Sequence, residues 1–161
     1  SSDLGNYSSR ARSTSSLVLS NALVIEQPDG SSVTYMGDLE KAVFGNSIIF
    51  GNYAQEIELG DNEESEFNFL FDHCIMQVPD TFNTSNEKHF KSVWKGSDYA
   101  PLFVDPFEEY DYALDTLSPA KDIGREEYGE LFPMDILNND RTADEGPDLG
   151  AYERIEKKKE E

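Results

Sequence analysis

Cysteine is almost missing from this chain. Cys74 stands alone among 161 residues, so no intrachain disulfide can form and no thiolate metal site can be built. Basic side chains are scarce as well: 13 Lys and Arg face 33 Asp and Glu, a formal charge of −20. Such a field repels nucleic-acid phosphates and anionic lipid head groups, so no nucleic-acid partner is expected. No stretch approaches the ~20 consecutive apolar residues of a membrane-spanning helix, and no membrane span is expected either. With only two histidines there is no His-based metal spacing, and neither a Gly-rich phosphate loop nor a nucleophile elbow occurs. The chain opens on Ser1 without an initiating Met or a signal peptide, which reads as a processed or truncated end.

What is present points to a folded, acidic, all-β protein. Ten Phe and eight Tyr, with 37% hydrophobic residues overall, are too many for a disordered chain. After a Ser-rich stretch with Arg10 and Arg12 that reads as a linker, three apolar runs share one layout. They are Leu19-Ser20-Asn21-Ala22-Leu23-Val24, Phe44-Gly45-Asn46-Ser47-Ile48-Ile49 and Phe71-Asp72-His73-Cys74-Ile75-Met76. Aligning Asn21, Asn46 and His73 spaces them 25 and 27 residues apart. Shorter strand-like runs lie between them (33–36 and 56–59), set off by Pro28-Asp29-Gly30-Ser31 and Gly60-Asp61-Asn62. A repeat of about 25 residues built from short strands and turns is the pattern of a β-solenoid. On periodicity alone, a sandwich or jelly roll is the alternative. Asn at a fixed place has a physical reason, since Asn tolerates the left-handed backbone of a sharp bend, and His shares that tolerance. Cys74, inside an apolar run, reads as a small buried hydrophobe.

The C-terminal half carries ordered blocks: Pro101-Leu102-Phe103-Val104-Asp105-Pro106, Tyr110-Asp111-Tyr112-Ala113-Leu114, Leu117-Ser118-Pro119-Ala120-Lys121-Asp122-Ile123-Gly124, Asp140-Arg141, and Gly146-Pro147-Asp148-Leu149-Gly150-Ala151-Tyr152-Glu153. Upstream stands Asn46-Ser47-Ile48-Ile49-Phe50-Gly51-Asn52, followed by Glu56-Ile57. This set resembles the closing region of bacterial right-handed parallel β-helix proteins of the pectate-lyase-like superfamily, of the "choice-of-anchor" type, over residues 40–153. Lys121, where that family usually has Ile, and the long link 125–138 depart from the pattern.

The resemblance implies an all-β fold, a right-handed parallel β-helix with an irregular C-terminal cap. It divides the chain into β-helix coils over 1–98, a last coil and cap over 99–153, and a charged tail over 154–161. It implies a bacterial protein at the cell surface or outside the cell, with the periplasm as a further compartment. The expected partners are upstream coils of the same precursor, in the same or a nicked chain, and polysaccharide. The expected function is polysaccharide binding or adhesion, with no catalytic site in this segment. The alternative is a calcium-dependent polysaccharide lyase or a glycoside hydrolase with its active site mainly in upstream coils.

Candidate site residues follow from side-chain chemistry. Sugar-binding surfaces present flat aromatic rings beside amides and carboxylates, which selects Trp94, Tyr53, Tyr35 and Tyr99. Phe71-Asp72-His73 resembles the calcium-holding strand of pectate lyases, though Phe71 replaces the usual Ile. No matching motif locates the arginine base of that family. The acidic run 61–66 has the oxygen donors of a Ca2+ loop without the spacing of an EF-hand, because Glu66 stands where Gly is needed. Asp72, Asp61 and Glu63 are therefore the candidate ligands for Ca2+, against the plainer readings of a bend pair and a solvated loop. His89 is isolated and receives no role.

Overall fold

Short β-branched and aromatic runs punctuated by Gly, Asn and Asp give a chain that is mostly strand. The computed structural model describes residues 2–7 and 10–155. Its strands are β1 (Asp3–Asn6), β2 (Leu17–Ser20), β3 (Ala22–Glu26), β4 (Ser32–Met36), β5 (Leu39–Gly51), β6 (Ile57–Gly60), β7 (Phe67–Met76), β8 (Phe90–Lys95), β9 (Phe103–Asp105) and β10 (Asp111–Leu114). Helix is confined to α1 (Glu126–Leu131) and a 3-10 turn at Ser97–Tyr99. The largest sheet runs β1-β5-β7-β8, parallel throughout, and β2 pairs in parallel with β6. Two antiparallel pairs, β3 with β4 and β9 with β10, complete the set.

The expected right-handed parallel β-helix is overturned. The strands fall into four separate sheets, two parallel and two antiparallel, and no closed solenoid is found among the described residues. The first apolar run is where the expectation breaks down. It divides at Asn21 into β2, which pairs with β6, and β3, which folds back on β4 through the Pro28-Asp29-Gly30 turn. Gly30 takes the left-handed backbone (φ 82°) that such a turn requires. The strand that lies beside Ile48 is β1, formed within the Ser-rich stretch that reads as a linker. In-register partners are consequently not evenly spaced: Asp3 pairs with Ile48, Phe44 with Phe71, and Phe71 with Phe90, separations of 45, 27 and 19 residues. The paired positions follow no single repeat length, and the antiparallel pairs break the stack of parallel coils that the apolar runs suggest.

The bend does form at two of the three aligned positions. Gly45 pairs with Asp72 and Ser47 with Cys74, so Asn46 lies beside His73, and the next strand places Ser92 in the same row. All three have positive φ, at 45°, 55° and 46°. Asn21 does not join this row. Its amide instead accepts from the Asn62 N–H (2.6 Å) and donates to the Asn62 and Ser65 carbonyls (2.9 and 3.0 Å), closing the β6–β7 loop.

The bend reverses which side each strand presents, and two apolar clusters form as a result. Before it, Phe44, Phe71 and Phe90 stack face to face across three strands, with centroids 4.7 and 5.8 Å apart. Ile57, and from beyond the bend Ile49, Cys74, Met76 and Val78, join them. Burying one such side chain contributes about 1.5–3 kcal/mol. Burial also pushes the Cys74 thiol up to about 12, so it is an inert core group. After the bend, Ile48 and Ile75 face Phe103, Leu114, Ala120 and Leu149. Phe103, Leu114, Ala120 and Leu149 thus bring the C-terminal half against the sheet, where they share its core. The closing blocks converge there: Ser118 Oγ donates to the Pro101 carbonyl, Leu149 N–H to Ala120 O (2.9 Å), and Gly150 N–H to Asn46 O (2.9 Å). Of the tail expected over 154–161, Arg154 bonds to Leu114 O and Asp148, and residues 156–161 lie outside the described residues.

Candidate functional site

The bend in β7 gathers a cluster of polar groups around a buried carboxylate, with partly exposed side chains at its rim. Asp72 is only 1% exposed, yet both carboxylate oxygens are engaged. One lies 2.7 Å from His73 Nδ1, and the other accepts from Arg125 Nη1 (2.7 Å) and the Tyr128 hydroxyl (3.2 Å). Burial alone would raise the Asp72 pKa, but the bonds from His73, Arg125 and Tyr128 together hold it below the usual carboxylate range. An ionised carboxylate only accepts, so Nδ1 of His73 carries the proton of this bond. The His73 side chain is a quarter exposed and meets the Trp94 ring edge-on at 6.2 Å.

Local sequence explains how Arg125 reaches this position. It precedes α1, and the Asn46 side chain clamps its backbone, accepting from the Arg125 N–H (2.7 Å) and donating to its carbonyl (3.0 Å). Gly45 leaves room for the Tyr128 ring, whose carbons would lie 2.7 Å from any Cβ there. The guanidinium sits 5.7 Å from the centre of that ring and also bonds Glu127 at 2.9 Å. Bonds to Glu127 and then Asp72 raise the Arg125 pKa further, and Glu127 is correspondingly lowered. A buried anion thus orients an imidazole and a guanidinium at the surface, beside the edge of an indole. Such a face can offer fixed donors and acceptors to a polyhydroxylated ligand, with little left to order on binding.

The other sequence candidates do not assemble with it. Trp94 is half-buried, packed against the Ile48–Leu149 cluster, and it alone of the four aromatics meets the Asp72 group. Tyr53 is half-buried in a groove with Phe50, Gln77 and Ser97. Tyr99 ends the 3-10 turn, 42% exposed, and Tyr35 lies on β4, 58% exposed and across from Leu23. Asp61 and Glu63 are in the exposed β6–β7 loop, where Asp61 accepts from Asn21 at 3.3 Å. Around Asp72 the partners are cationic or donor groups, so Ca2+ there would have to displace a guanidinium. No group of three or more His, Cys, Asp or Glu is placed to hold a metal ion among the described residues.

Arg125, Glu127 and Tyr128 were not anticipated, because a contact spanning more than 50 residues leaves no local spacing to read. A second ion pair was equally hidden. Glu56, fully buried, takes both guanidinium nitrogens of Arg12 at 2.9 Å, the Ser16 hydroxyl at 2.6 Å and the Tyr53 N–H at 3.0 Å. The supposed linker is thereby tied to the sheet. A third cluster joins β1 to the closing loop: Asp3 accepts from the Ala151 N–H (3.0 Å), and Arg141 pairs with Glu153 (3.3 Å) and donates to Gly150 O (3.0 Å). Burial raises Asp3 to about 7, Asp148 to about 6 and Glu153 to about 8.

No protein-family model, no curated protein and no solved structure matches this chain.

Proposed function

We propose that this segment belongs to a bacterial extracellular or cell-surface protein that binds polysaccharide through the face around Asp72, without a catalytic site of its own. One observation supports this reading most: a buried carboxylate fixes His73 and Arg125 at the surface, and the His73 ring meets Trp94, so the polar groups are already oriented. Glycan recognition combines such fixed, often bidentate hydrogen bonds with contact to an aromatic ring. The resemblance of the closing blocks to those of secreted proteins supports the compartment, and the acidic surface suits a solvated, salt-exposed setting. The test is a glycan array followed by Trp94→Ala and His73→Ala variants. Binding of one glycan class that both variants weaken about tenfold, with no turnover, is expected. Uniform absence of binding refutes the proposal.

A second reading draws on the same dyad. A buried carboxylate that orients an imidazole is also how a general base is held, and Arg125 and Tyr128 stand beside it. A lyase would release unsaturated, ultraviolet-absorbing products from acidic polysaccharides. Product that forms with the native chain and vanishes with His73→Ala would favour that reading over simple binding.

A further inference from the structure

Three strands end close together beyond the bend: β5 at Gly51, β7 at Met76 and β8 at Lys95. Past those ends lies a groove of about 390 Å³, lined among others by Phe50, Gly51, Tyr53, Gln77, Ser97 and Ala100. Gly51 has no room for a side chain, since a Cβ there would run into the Glu56 carboxylate and the Asn6 carbonyl. Bare backbone therefore lines the groove at that point. Although the chain carries 33 Asp and Glu and 13 Lys and Arg, no described residue lining the groove is charged. The main chain of Gln77 is fixed, its N–H donating to Ile49 O and its carbonyl accepting from the Glu56 N–H, both at 2.8 Å. Its side-chain Oε1 is shut off from solvent and has no hydrogen-bond partner. Buried acceptors in folded proteins are nearly always paired, so an orphan on a residue that lines a groove points to a ligand that donates.

We infer that the groove is a sugar subsite for one uncharged pyranose residue, whose hydroxyl donates to Gln77 Oε1 while its C–H face lies against Tyr53. The size suits one such ring, near the lower end of the about 300–1,000 Å³ of small-ligand sites. Phe50, Tyr53 and Ala100 supply apolar contact, and the Tyr53 backbone is held by its N–H on Glu56 (3.0 Å). With its main chain fixed, Gln77 has only to turn its amide toward the groove it lines. Two other ligand classes fit worse. A purely apolar molecule would leave Oε1 unpaired, and a uronate would bury its carboxylate with no cation lining the groove, on a chain of charge −20. The subsite rests on the glycan reading and extends it past the end of β8. Ser97 follows Trp94 by three residues, and Ala100 packs with Trp94 against the Ile48–Leu149 cluster. The Asp72 face, with its guanidinium and imidazole, and the uncharged groove are thus two places on which one glycan chain can rest.

The probes are the methyl glycosides of glucose and galactose, each set against its own uronide, which differs only in the carboxylate. In NMR titrations of the full chain, at least one hexoside should shift the Gln77 side-chain amide and the Tyr53 ring resonances saturably. Its uronide should bind at least about tenfold more weakly. Gln77→Leu keeps a similar volume and the main-chain bonds but removes the acceptor. It should weaken the hexoside at least about threefold, read at Tyr53, while the urea midpoint stays equal or rises because an unpaired buried group is gone. Should that variant fail to fold, Tyr53→Ala takes its place and should weaken binding, read at Gln77, about tenfold. Hexoside binding that Gln77→Leu leaves unchanged, or equal binding of the uronide, overturns the subsite. Shifts confined to His73 and Trp94 overturn it as well and leave the glycan reading standing. No shift with any probe also overturns the subsite, while the glycan array decides the reading on which it rests.

Discussion

Asp72, Asn46 and Gly45 each do one separable thing at the bend. Asp72 neutralises and orients, so Asp72→Ala leaves His73 and Arg125 without their anion and removes three hydrogen bonds. A loss of about 2–3 kcal/mol is expected, read as a shift in urea midpoint, with Arg125 partly compensated by solvent. Because the Asp72 pKa is depressed on folding, its contribution is present above the ordinary carboxylate value and is lost as pH falls through the folded one. Gly45→Ala drives a methyl into the Tyr128 ring and should cost about 1–3 kcal/mol. Asn46 and His73 were legible in sequence because few side chains accept a left-handed backbone, and both do so here. Asn21 looked identical in the text and serves another purpose, closing a loop through its amide. A residue type can announce tolerance of a bend, but it cannot announce which of two jobs is used.

Among the elements, the β1–β10 strands divide into those with a packed face and one pair without. The β3–β4 hairpin is exposed along almost its whole length, with Leu23, Ile25, Val33 and Tyr35 on one side, 40–59% exposed. An isolated two-stranded hairpin is marginal in water, so its amides should exchange far faster than those of β5 and β7. Equal protection in the two regions would contradict this. The Ser-rich stretch is held by Arg12 on Glu56, and Glu56→Ala should cost about 3–5 kcal/mol, visible in thermal unfolding, by leaving that guanidinium without its partner. The carboxyls between β1 and the closing loop act with the opposite pH sign from Asp72. Burial raises Asp3, Asp148 and Glu153, so their contribution is complete below the unfolded values near ~4 and is lost as pH rises through about 6 to 8. With Asp72 and Glu56 failing at low pH, these groups together place the stability maximum near ~4, checked by denaturant midpoints across pH. Strand content and the blocks that meet at Ser118, Arg141 and Glu153 could be read from the sequence. The pairing of β2 with β6 could not, because short apolar runs do not say which neighbour they choose.

For the whole molecule, the outcome turned on connection lengths. Three similar runs suggested one repeating turn, but separations of 45, 27 and 19 residues between paired positions, with two antiparallel pairs, give four sheets and not a closed solenoid. The excess of acid, −20 over 161 residues, opposes compaction, so moderate salt should raise the unfolding midpoint. The central claim concerns the face around Asp72, and amide and side-chain chemical shifts read it most directly during titration with neutral and acidic oligosaccharides. One class should shift His73, Trp94 and Arg125 first and saturably, and Trp94→Ala should abolish the response. Shifts that saturate only elsewhere on the chain, or none with either class, would contradict it.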